Sequence, residues 1–116
     1  MSADRQWLET QCARWIQLFS ELDSAGVPTR EQLAAVAVDD VHFSDPFNDI
    51  RGLGPLQRVF EHTLTHVRSV SFTVHDTAWS DMTAYVRWTM TGRLHVIGDW
   101  CVAGVSEIRF ADDGRV

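Results

Sequence analysis

Lysine is missing from this chain: all ten basic residues are Arg, set against sixteen acids for a net charge of −6. That balance argues against nucleic acid as a partner, because no basic stripe is present to neutralise phosphates. Cysteine is nearly missing too. Cys12 and Cys101 lie far apart and fit no metal or redox spacing, so they read as two buried thiols of a reducing compartment. No apolar run approaches the ~20 residues that a membrane span needs, and the N-terminus shows no signal pattern. A cytoplasmic protein with no membrane partner is expected. Repeats, linkers and low-complexity segments are absent, and 116 residues suffice for one domain with a real core.

What is present begins with a helical pattern from Asp4 to Leu22. Leu8, Cys12, Trp15, Phe19 and Leu22 recur at three- and four-residue steps, and Ile16 widens the stripe. Asp23 to Pro28 breaks it. Thr29-Arg30-Glu31-Gln32 has the capping-box spacing and starts a short second helix with Leu33, Val36 and Ala37 on its apolar side. Gly54-Pro55 opens a third helix, with Pro55 at its first position and Leu56, Val59, Phe60, Leu64 and Val67 facing inward.

The period then changes to two. Val70, Phe72 and Val74 alternate with Ser71 and Thr73; after a turn near Ser80-Asp81, Ala84, Val86, Trp88 and Met90 alternate with Tyr85, Arg87 and Thr89. After Gly98, Trp100, Val102, Ser106, Ile108 and Phe110 share a face interrupted by Gly104, where a bulge or bend is expected. The order is an α+β pattern with helices covering one face of an antiparallel sheet. Ala111-Asp112-Asp113-Gly114 reads as a hairpin turn, with Arg115-Val116 as the start of a returning strand.

The sharpest chemical hint is Val41-His42-Phe43-Ser44-Asp45-Pro46-Phe47-Asn48-Asp49. Val41, Phe43 and Asp45 alternate as on a strand, so the carboxylate is expected to point inward with two apolar neighbours until Pro46 ends the ladder. Three roles are open to Asp45: capping the turn by accepting N–H bonds from Asn48 or Asp49, acting as a pocket acid or base, or anchoring a ligand without chemistry. Trp15, Trp88 and Trp100 read as core aromatics or as walls for a flat apolar ligand. His62 and His66 stand at i, i+4, a spacing metals can use, but with no third ligand near in sequence neither a metal nor a cofactor is expected. His42 is expected to face outward or towards a helix, His75 and His95 are solitary, and Glu107 and Arg109 fall on the outer sheet face. No nucleophile triad, phosphate loop or zinc spacing occurs.

FSDPFNDIRG, the helix after it and GVSEIRFADDGRV resemble the nuclear transport factor 2-like superfamily, especially its SnoaL-like branch. The resemblance implies a cone: a curved antiparallel sheet wrapped around a long N-terminal helix, with two further helices and a deep apolar pocket. It also implies a homodimer through the outer sheet face. A further strand normally follows the Asp-Gly-Arg-Val turn in this group, so the expected domain over 1–116 lacks its last strand.

Asp45 matches the position of the general base in the superfamily's ketosteroid isomerase. The Tyr donor position falls near Trp15 or Leu18, and the acidic donor position on Ser106, so steroid isomerisation itself is not expected. Against the epoxide hydrolase pattern Arg87 matches, but Thr89 stands where an acid is needed. The resemblance thus implies a protein that binds a small apolar, carbonyl-bearing metabolite. Any chemistry would be proton transfer of the isomerase, cyclase or dehydratase kind. Asp45 would be the base, Trp15 and Ser106 donors, and Phe60, Trp88, Met90 and Trp100 walls. The alternative is a non-catalytic ligand-binding, dimerisation or interaction module.

Overall fold

The N-terminal helix α1 (Arg5–Ser20) starts where Asp4 caps it, its side chain accepting the Trp7 N–H. The computed structural model describes residues 4–116. Leu8, Gln11, Cys12 and Trp15 form the buried stripe of α1. A one-turn helix α2 (Leu22–Ala25) follows and stops at Gly26, whose φ of 81° suits glycine. Helix α3 (Arg30–Val36) carries the expected capping box: Thr29 Oγ1 accepts from the Gln32 N–H, and Gln32 Oε1 accepts from the Thr29 N–H.

Two short strands, β1 (His42–Ser44) and β2 (Asp49–Arg51), pair as a small antiparallel hairpin. β2 lies where the sequence read as a turn; three residues are too few for a period to show. Helix α4 (Leu53–His66) begins one residue before Gly54, so Pro55 is its third residue and not its first. The position is still harmless, since the first four N–H groups of a helix have no intrahelical partner. Leu53, Leu56 and Phe60 are its most buried residues.

The main sheet contains β3 (Val67–Ser80), β4 (Thr83–Leu94) and β5 (Gly98–Ile108), antiparallel in the order β3-β4-β5. Its curvature comes with two irregularities in β3, between Arg68 and Ser71 and between Val74 and Asp76. Ser69, at the first, has a φ of 52°. No irregularity occurs at Gly104: β5 runs in unbroken register with β4 from Gly98 to Ile108. The glycine serves another purpose, a side-chain approach described below. The core lies between the helices and the sheet's concave face, from Cys12, Trp15, Leu33, Leu56 and Phe60 to Val70, Ala84, Val86 and Ile108.

The C-terminal turn closes with Gly114 N–H donating to Ala111 O at 2.9 Å. Val116 then exchanges backbone hydrogen bonds with the end of α3, donating to Val36 O and accepting from Val38 N–H. Among the described residues no helix is long and apolar enough to cross a membrane.

Candidate functional site

Asp45 is not carried into the interior. β1 ends at Ser44, and from Ser44 to Phe47 the chain is exposed. Asp45 Oδ1 accepts the N–H groups of Phe47 at 2.8 Å and Asn48 at 2.7 Å, and the Asn48 amide reaches both carboxylate oxygens. Its own N–H donates to Asn48 O at 2.8 Å. This is the turn-holding arrangement, with Phe47 in place of the expected Asp49. The strand alternation failed as a guide because the strand stops one residue earlier than the alternation does. Phe47 at the tip is 85% exposed, and on the same hairpin His42 Nε2 lies 2.6 Å from Asp49 Oδ1, both side chains facing solvent.

The space where a pocket was expected contains aromatic side chains. Phe19 of α1 lies 5.4 Å from Trp15, 4.8 Å from Phe60 and 5.5 Å from Phe72, and Phe72 lies 5.2 Å from Trp88. Trp15 and Phe60 are buried in the core, at 6% and 1% exposure. Trp88 is half-buried against the same core. Its indole N–H donates to Ser106 Oγ at 2.9 Å, so the two are hydrogen-bonded to each other. The concave face is less covered towards the far end of β4 and β5, where Met90, Trp100 and Val102 are half-exposed. Met90 is paired with Val102, and Trp100 with Gly92.

The opposite, convex face has a different character. Its middle carries Ser71, Thr73, Thr89, Thr91, Cys101, Ala103 and Val105, which include no charged side chain. Three ion pairs within the chain border this block: Asp76 with Arg87, Arg93 with Asp99, and Glu107 with Arg109. The Arg87 guanidinium, hydrogen-bonded to Asp76 through Nε and Nη2, holds that carboxyl below its usual range. Two shallow grooves indent this face. One of about 510 Å³ is bounded by Ser69, Thr91, Arg93, Asp99 and Cys101, and Gly92 and Trp100 of the other strand phase also line it. The other, of about 290 Å³, lies among His75, Arg87, Thr89, Ala103 and Val105, where His75 Nε2 is 2.7 Å from Thr89 Oγ1. Cys101 is exposed on this face, contrary to the expectation of two buried thiols; only Cys12 is buried.

The outward phase reads directly from the sequence as Ser71, Thr73, Thr89, Thr91, Cys101, Ala103 and Val105, with Arg93 and Asp99 at its border.

A family model described as the SnoaL-like domain matches residues 13–116. No curated protein matches the chain in sequence. Among solved structures, TsrD from Streptomyces laurentii superposes with a TM-score of 0.73 at 17% identity, covering 98% of this chain and 85% of that one. An NTF2-like protein of unknown function from Burkholderia pseudomallei K96243 gives 0.75 at 17% identity, over 94% and 84%. A steroid delta-isomerase from Pseudomonas aeruginosa gives 0.64 at 20% identity, over 99% and 77%. At such identities the likeness is one of fold.

Proposed function

The chain belongs to the SnoaL-like domain family, and from that premise we propose that it works by association, two copies joining through the convex face of the sheet, and not by proton transfer at Asp45. The observation that carries this reading is the set of uncharged outward side chains Ser71, Thr73, Thr89, Thr91, Cys101, Ala103 and Val105, bordered by three ion pairs made within the chain. Interfaces have this anatomy: a core depleted of charge and a polar rim. A face of small Thr, Ala, Val and Cys side chains also allows close backbone approach between sheets. The charged rim stays wet, so it contributes register more than affinity.

Asp45 supports the same choice from the other side. A general base must reach the proton it takes, whereas this carboxylate is spent on the Phe47-Asn48 turn at the surface. The core aromatics Trp15, Phe19 and Phe60 pack against one another.

The test is the solution mass of the wild type beside Val105→Lys. Val105 is 63% exposed in the single chain, so a lysine there leaves the fold intact and introduces a charge only into the interface. A wild-type dimer that becomes a monomer supports the reading, and a wild-type monomer rejects it.

A second reading rests on the half-exposed Met90, Trp100 and Val102 strip. It is an apolar surface suited to one small flat molecule, such as a polyketide, terpenoid or sterol-like metabolite. Proton transfer by Asp45 belongs to this reading, and it requires the Asp45-Asn48 turn to open first.

A further inference from the structure

The last turn of α4 carries two imidazoles that nothing in the association reading uses. His62 and His66 are both exposed, and their ring centroids lie 4.2 Å apart with the planes tilted by 53°. Among the described residues neither ring takes part in a hydrogen bond, whereas His42 is held by Asp49 and His75 by Thr89. The two side chains therefore meet on one helix face with their nitrogens uncommitted, one turn apart, as i and i+4 positions do.

Their place on the helix adds a second favourable element. His66 is the final residue of α4. The carbonyls of a last helical turn lack intrahelical partners, and the helix end carries a partial negative charge that favours a cation. Two neutral imidazoles at that end form a bidentate nitrogen donor set. Such donors suit late first-row divalent cations, while magnesium and calcium require oxygen.

We propose that His62 and His66 form a surface site for one late first-row divalent cation, copper(II) binding tightest by the usual affinity order and nickel(II) or zinc(II) more weakly. No third His, Cys, Asp or Glu joins them among the described residues, so water fills the other coordination positions and the site stays open to solvent. Both donors belong to α4, so the site involves neither face of the sheet.

The experiment titrates untagged protein with copper(II) at pH 7.5. Calorimetry gives stoichiometry, and electron paramagnetic resonance reads nitrogen coupling to the bound copper. The expected result is one equivalent per chain with two coordinated nitrogens, weakened at least about tenfold in both His62→Ala and His66→Ala. The rival site is the His42–Asp49 pair, and His42→Ala should leave the binding unchanged. Wild-type affinity in both α4 variants overturns the proposal, as does loss of the bound copper in His42→Ala or the absence of a stoichiometric site.

Discussion

The Trp88 indole covers Gly104 so closely that a Cβ on residue 104 would stand 2.8 Å from Trp88 Cζ2. The two residues are directly paired across β4 and β5, and the same indole donates its N–H to Ser106 two residues further along. Glycine is needed here for space and not for an unusual backbone angle. The ring then lies flat on the sheet and connects its concave face to Phe72 and, through Phe19, to α1.

Gly104→Ala should therefore force the indole off the sheet, with a loss of about 1–3 kcal/mol typical of overpacking. Ser106→Ala should cost about 1 kcal/mol, since it removes one hydrogen bond but leaves room for the ring. Thermal unfolding measures both. The Trp fluorescence of Gly104→Ala should shift more than that of Ser106→Ala.

A second close approach anchors the C-terminus. Gly114 has a φ of 90°, and a Cβ there would collide with Trp7 Nε1 and Cδ1. Trp7 Nε1 donates to Asp113 O at 2.9 Å, tying the turn onto α1. Gly114→Ala meets both backbone strain and the collision, so a loss of about 1–3 kcal/mol is expected. Trp7→Phe should lose about 1 kcal/mol through the missing donor. Chemical denaturation compares them, and Gly114→Ala should be the more damaging.

The thiols should separate by reactivity. Burial pushes the Cys12 thiol from 9.0 up to about 11, while Cys101 is exposed. At pH 8 a thiol reagent should modify Cys101 in dilute native protein and reach Cys12 only on unfolding. Raising the protein concentration should slow the Cys101 reaction, because association covers that face. Cys12 also makes stability depend on pH. Its folded value lies above its unfolded one, so its contribution is complete below about 9 and is lost as the pH rises towards about 11. Cys12→Ser should flatten this alkaline decline in melting temperature.

The second reading of function makes its own forecast. If a flat apolar molecule binds the concave strip, Trp100→Ala should weaken its binding at least about tenfold, the loss of a well-buried aromatic contact. Asp45→Asn should leave that binding unchanged. Fluorescence titration with polyketide and terpenoid ketones checks both variants.

Much of the fold was legible because long elements repeat their signals. The stripes of α1 and α4 and the three long strands declare themselves over many residues, and the Thr29 to Gln32 capping box formed as spelled. The errors occurred where one residue decides. β1 is three residues long, so extending its alternation by one position turned an exposed Asp45 into an expected inward acid. The bulge expected as one alternative at Gly104 does not form, since sequence cannot show that Trp88 lies across the glycine. Walls and core could not be told apart either. Phe60 and Trp100 are both aromatic and inward, but Phe60 is buried in the core while Trp100 is half-buried outside it.

The account is tested most directly by light scattering on the purified chain over a range of concentrations. It predicts a particle of twice the 13.2 kDa chain mass, reverting to the single-chain mass in Val105→Lys and in Thr89→Arg with circular dichroism unchanged. A single-chain mass at every concentration would contradict it, as would a dimer that survives both substitutions.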